Sequence, residues 1–240
     1  MTEEPALRRL QDAGGNGGSE SAETIGEAFC RSYLQSGVWL RTTWLGTQVC
    51  KCPLDLWIYQ EILFRTRPDV IVETGTWAGG SALFLASMCE LIGTGRVVTV
   101  DVDERDDRPS HTRITYIAGS SVDPEVIARV RDEVGEDSRA MVVLDSDHSK
   151  DHVLAELRAY APLVGPGLYL IAEDTAAARI VPPVPSEGPR EAVAAFLAEN
   201  RDFAADERCE KFLMTWQPGG YLRRVNAHDS NSARGVDADE

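Results

Sequence analysis

Five apolar runs of strand length, "DVIVETG", "RVVTVDVD", "ITYIAGSS", "AMVVLD" and "GLYLIAED", alternate through most of the chain with segments of helical period. Parallel neighbours can be joined only by crossovers, so the alternation predicts an α/β fold with a parallel sheet covered by helices on both faces. Ligands in such sheets sit beyond the carboxyl ends of the strands. Those ends carry Glu73 to Thr76, Asp101 with Asp103, Gly119 to Ser121, Asp145 to His148, and Glu173 with Asp174. Surface turns alone rarely give five successive strands polar or glycine ends.

The connecting segments carry their own punctuation. Leu54, Trp57, Ile58 and Ile62 share a helical stripe in "LDLWIYQEILFR". A helix is predicted after Gly79-Gly80, ending at Gly93, and another between the N-cap Asp123, followed by Pro124, and Gly135. "DHVLAELRAYAPLV" lays Val153, Leu154, Leu157 and Ala161 on one face, and "GPREAVAAFLAEN" is helical. "EKFLMTW" and "YLRRV" flank Gln217 to Gly220 as a predicted hairpin. Residues 1–24 and 228–240, rich in Gly, Ser and acid, read as flexible ends around one domain over 25–227.

A formal net charge of −15 argues against nucleic acid or an anionic membrane as partner. No apolar stretch approaches the roughly 18 to 20 residues that span a bilayer, and five cysteines without a secretory signal favour reduced thiols, so a soluble cytoplasmic protein is expected. In the loop "ETGTWAGGS", Gly75 permits a tight turn, while Gly79 and Gly80 let a ligand approach a helix N-terminus. The spacing is not G-x-G-x-x-G, which weighs against NAD. Asp101 stands where such folds place a carboxylate on ribose hydroxyls, and Ser120 and Ser121 could accept from an adenine amino group. An adenosine ligand fits these points. S-adenosylmethionine fits best, because Glu73 could face its cationic amino acid moiety.

Asp145 and Glu173 end strands joined by one helix, so their side chains can meet. Asp174 can join them only if the strand ends there and the backbone turns. Three clustered carboxylates repel unless one is protonated or a cation is present, and a hard divalent ion such as Mg²⁺ suits an all-oxygen set. Asp145, Glu173 and Asp174 are thus expected to hold metal. Asp147 or His148, one or two residues further out, could take a proton from an attacking hydroxyl, histidine having the apter unperturbed pKa of about 6.5. Lys150 and His152 read as solvated or helix-capping groups, and Lys51, between Cys50 and Cys52, belongs to no complete zinc pattern.

The string "ETGTWAGGSALFLASMCEL", followed by "VVTVDVD", "ITYIAGSS", "MVVLDSDHSKDHVLAELRAYAPLV" and "YLIAEDT", resembles the cephalosporin hydroxylase/rhamnosyl O-methyltransferase family, over roughly Trp44 to Val225. The resemblance implies a Rossmann-like class I S-adenosylmethionine methyltransferase fold: a mostly parallel seven-stranded sheet with its last strand antiparallel. It implies metal at Asp145, Glu173 and Asp174, and cofactor contacts around Glu73, Gly75, Thr76, Ser81, Asp101 and Ser120. A D-x-D element makes Asp147 the candidate base. A catechol-type D-H-x-K, satisfied by Asp147 to Lys150, would put the metal on Asp147 instead. The implied activity is Mg²⁺-dependent O-methylation of a sugar hydroxyl, a rhamnose-like deoxysugar on a glycoside or nucleotide-sugar, in natural-product or antibiotic biosynthesis, by a homo-oligomer. Alternatives are a component of cephalosporin 7-hydroxylation and methoxylation, and a non-catalytic nucleotide-binding subunit. The loop "VPSEGPREAV", where relatives tend to carry a G-P-G-P run, departs from the pattern at the place of an acceptor lid.

Overall fold

A computed structural model describes residues 24–176 and 187–225. The two flexible ends expected from composition lie almost wholly outside these residues, as does part of the departing loop. Helix α1 (Ile25–Ser36) opens on a capping box between Thr24 and Glu27. A two-residue-strand hairpin follows, β1 (Thr43–Trp44) and β2 (Thr47–Gln48), turning through left-handed Leu45 and Gly46. Then come α2 (Pro53–Thr66), β3 (Val70–Thr74), α3 (Gly80–Ile92), β4 (Arg96–Asp101), β5 (Ile114–Ala118), α4 (Pro124–Val134), β6 (Ala140–Leu144), α5 (Lys150–Tyr160), β7 (Tyr169–Ala172), α6 (Pro189–Glu199), β8 (Phe203–Ala205) and β9 (Tyr221–Arg224).

Seven strands pair in the order β5-β4-β3-β6-β7-β9-β8. β3 to β7 run parallel, and β9 runs antiparallel to both of its neighbours. The strand order therefore reverses at β3, leaving a crevice between the tips of β3, β4 and β6. Alternate residues of each strand feed two cores. Val70, Val72, Val98 and Val142 pack with α4, α5 and α6, whereas Ile71, Val97, Met141 and Val143 pack with α2 and α3. Each such side chain contributes about 1.5–3 kcal/mol by leaving water.

Two expectations are corrected. Trp57 is 59% exposed, and the buried face of α2 is Asp55, Ile58, Tyr59, Ile62 and Leu63. The antiparallel C-terminal hairpin is made by β8 and β9, not by the segment before Gln217, since residues 211–216 form no strand. Asp55 takes the Trp216 N–H at 2.9 Å and the Thr215 hydroxyl at 2.6 Å. Met214 and Trp216 meanwhile pack on Cys30 and Cys52, outside the sheet.

Just past β8, Asp206 accepts from Tyr169 Oη at 2.6 Å and from Arg208 Nε and Nη2 at 2.7 and 2.8 Å. Arg208 foremost, then Tyr169, hold its carboxyl down at about 2 against the opposing effect of burial. A depressed carboxylate stabilises the fold above its unfolded pKa near ~3.9 and ceases to as pH falls through its folded value. Asp206→Asn should therefore lower stability by roughly 1–2 kcal/mol at neutral pH, discounted for the exposure of Arg208, with the deficit closing between about pH 4 and pH 2. Denaturant unfolding across that range checks it.

Candidate active site

The loop after β3 is built from close approaches. A Cβ on Gly75, where φ is +84°, would stand 1.9 Å from the Asp145 carbonyl oxygen, and one on Gly80 would stand 2.0 Å from that of Gln48. Glycine lets the loop lie against both neighbours. Asp101 then clasps it: its Oδ2 accepts the Thr76 and Trp77 N–H groups at 2.8 and 2.7 Å, and Arg108 stands 3.2 Å away.

Beside this loop lies a cavity of about 430 Å³, lined by Gly75, Asp101, Ser120, Ser121, Asp145 and Asp147 among others. Six of the residues expected to touch cofactor, hold metal or catalyse thus share one cavity. Thr76, Gly79 and Ser81 do not line it. Thr76 hydrogen-bonds Thr99 at 2.6 Å, Gly79 is roofed by Pro109 and Tyr116, and Ser81 is buried in the first turn of α3. Glu73 lies beneath, fully buried, with Oε2 accepting from Thr99 at 2.7 Å and Oε1 without a hydrogen-bond partner. Burial pushes its carboxyl up, while Lys51, Ser81 and Thr99 pull it back. His152, read from sequence as a solvated or helix-capping group, is a wall of the cavity, 3.1 Å from both Ser121 Oγ and Ser146 Oγ.

Asp145 links this cavity to the other expected site residues, because His148, Glu173 and Asp174 stand beside it without lining the cavity. β7 stops at Ala172, and Asp174 adopts a left-handed φ of +57°, a conformation aspartate tolerates better than most residues. That turn sends the neighbouring acids apart. Asp174 Oδ2 stands 3.2 Å from His148 Nε2, which is 3.9 Å from Asp145 Oδ1. Asp145, His148 and Asp174 each offer a ligand atom within 4.8 Å of the others, a spacing one ion can bridge. Glu173 turns inward, where its Oε1 accepts from Tyr59 Oη at 2.6 Å. Asp147 Oδ1 accepts the Ser149 N–H at 2.7 Å, and the Ser149 bonds hold its carboxyl below the usual range.

Lys51 is the functional residue that sequence reasoning missed. Its Nζ bridges Asp145 Oδ2, in a short contact, and Glu173 Oε1 at 2.6 Å. Burial disfavours its charge, but Asp145, Glu173 and Glu73 outweigh burial and hold the ammonium above the usual lysine range. Burial raises the Asp145, Glu173 and Asp174 carboxyls in turn, with repulsion from a neighbouring acid adding to each.

The family model "Rhamnosyl O-methyltransferase/CmcI" matches residues 36–225. The chain belongs to this family. The rhamnosyl O-methyltransferase of Mycobacterium tuberculosis (strain ATCC 25618 / H37Rv) is 36% identical over 213 residues, spanning 85% of this chain and 86% of that protein. Among solved structures, apo CmcI superposes with a TM-score of 0.60 at 23% identity, covering 95% of this chain and 88% of CmcI. CmcI with Mg and SAM gives 0.59 at 20% identity, covering 94% and 88%. The fold is that of class I S-adenosylmethionine-dependent methyltransferases, and the activity class of this family member is O-methyl transfer. All five cysteines are free, and no helix among the described residues is long and apolar enough to cross a membrane.

Proposed function

We propose that the chain, within a single domain over 25–227, transfers the methyl group of S-adenosylmethionine to a sugar hydroxyl, in a reaction that needs Mg²⁺. The observation that carries this reading is the convergence of Asp145, Asp174 and His148, of which Asp145 also lines the cavity. Support for the cofactor comes from Glu73 Oε1, a buried acceptor that the ammonium of an amino acid moiety would satisfy. Gly75, Asp101, Ser120 and Ser121 would flank its nucleoside.

Asp145 and Asp174 would hold the ion, with Glu173 supplying negative charge from the layer behind. Mg²⁺ held there would supply Lewis acidity toward an acceptor hydroxyl, and S-adenosylmethionine would supply the electrophilic methyl group. The protein's own task is positioning and proton transfer. His148, 42% exposed at the rim, is placed to take the hydroxyl proton, and the carboxylates beside it would stabilise the imidazolium formed. Asp147, tied to Ser149 and held acidic, is the weaker base. A rhamnose-like deoxysugar of a natural product is the proposed acceptor, by analogy with the mycobacterial relative. The test is transfer of labelled methyl from S-adenosylmethionine to a panel of rhamnosides and other glycosides. EDTA should stop turnover and Mg²⁺ should restore it; EDTA-insensitive turnover, or none with any glycoside, defeats the reading.

A further inference from the structure

Only three of the 24 basic residues are lysines. Lys150 and Lys211 form ion pairs with Glu187 and Glu61 at partly exposed positions, whereas the Lys51 side chain is 3% exposed. The fold accepts local cost to place it. Cys50 takes a left-handed φ of +48°, a strained conformation for a residue with a Cβ. Gly80 has no Cβ, so that the segment through Gln48 and Val49 can lie on the start of α3. Cys52, the N-cap of α2, is buried with its Sγ 3.4 Å from Met214 Sδ. An ammonium is thereby fixed between Asp145 and Glu173, with Asp174 and Glu73 close enough to act on it or its partners electrostatically.

Four acidic side chains surround one ammonium, so a divalent ion could relieve the repulsion among those that ionise. Asp145 has one oxygen for each positive charge of this reading, with Oδ2 toward Lys51 and Oδ1 on the side of His148, where the ion would sit. We propose that Lys51 is a tethered cation that balances Asp145 and Glu173 when no divalent ion is bound and competes electrostatically with the ion for them. Stability of the metal-free chain and affinity for the ion are then set against each other at one side chain. The ion weakened by this competition can leave, and the chain keeps its fold when it does. This inference rests on the Mg²⁺ reading proposed above.

The test is Lys51→Met, which keeps the length of the stem and removes the charge, in the full chain stripped of metal. Calorimetric titration with Mg²⁺ should show the dissociation constant falling by about tenfold or more, because a positive charge beside the ion is gone. Thermal unfolding in EDTA should drop by roughly 5 °C or more, and saturating Mg²⁺ should recover most of that loss. A purely structural salt bridge would lower the midpoint equally with and without Mg²⁺ and leave affinity unchanged or weaker; either result overturns the competition. Binding of Mg²⁺ by neither protein would instead remove the metal reading on which it rests. If Lys51→Met does not fold, Lys51→Met/Glu173→Gln removes both charges together and should fold without metal; failure of that variant also overturns the proposal.

Discussion

Asp145→Asn is expected to cut methyl transfer by at least about 10³-fold, roughly 4 kcal/mol of transition-state stabilisation, in a chain that folds as well as the parent. In the proposed mechanism both positive charges of the site depend on Asp145, one carboxylate oxygen facing Lys51 and the other the side of His148 and Asp174 where the ion would sit. An amide keeps the shape but loses the charge, so an ion would be held by one carboxylate fewer in a pocket already occupied by an ammonium. Stability should move the other way. Asp145 raises the pKa of Glu173, and Asp174 raises that of Asp145, so removing one of these negative charges relieves repulsion, while Lys51 keeps its partner Glu173 at 2.6 Å. The expected pattern is lost turnover, weakened Mg²⁺ binding, an unfolding midpoint in EDTA at or above the parental one, and little change in affinity for S-adenosylhomocysteine. Retention of more than about a tenth of the parental rate would mean that Asp145 does not serve the chemistry.

The features legible in the sequence were those whose signal is local. Strand β6 and the acid behind it are adjacent in the chain, and so are Gly79, Gly80 and the helix they start, or Asp123, Pro124 and α4. The turn that Glu173 and Asp174 would need in order to share one ligand could be stated as a condition; the backbone does turn at Asp174, with a left-handed φ, but Glu173 turns inward to Tyr59 and the two side chains part. Lys51 gave no such signal: its partners lie 94 and more residues away, and flanking cysteines directed attention to zinc. Asp101, expected to face a ribose, lines the cavity, but its hold on the Thr76 and Trp77 amides depends on how the loop folds back, which spacing alone does not contain. Residues 211–216 have the apolar content of a strand and are claimed by a competitor from another element. Asp55, inside a helix and surrounded by apolar neighbours, reads as an ordinary first-turn acid, yet it decides where that segment goes.

Asp55→Ala should accordingly be among the most destabilising single changes in the chain, costing about 3–5 kcal/mol, the range for removing one partner of a buried charged network. The carboxylate is 1% exposed and accepts three hydrogen bonds, from Thr215 Oγ1 at 2.6 Å, the Trp216 N–H at 2.9 Å and Tyr221 Oη at 2.9 Å. Burial pushes its carboxyl up, and Thr215, Trp216 and Tyr221 pull it back, so these bonds are what compensate a buried anion. Alanine leaves the Trp216 amide and the Tyr221 hydroxyl without an acceptor and opens a gap between α2 and β9. Asp55→Asn, whose amide oxygen still accepts, should cost about half as much. The damage should also reach the site, because the Trp216 carbonyl accepts the Ala176 N–H at 3.0 Å and so anchors the turn that carries Asp174. Equilibrium unfolding gives the stability. Amide exchange at Trp216 and Ala176, faster in Asp55→Ala than in an equally destabilised variant on the opposite face of the sheet such as Leu157→Ala, separates loss of this anchor from general loosening. Equal exchange in the two variants would mean that Asp55 holds the fold without holding the turn.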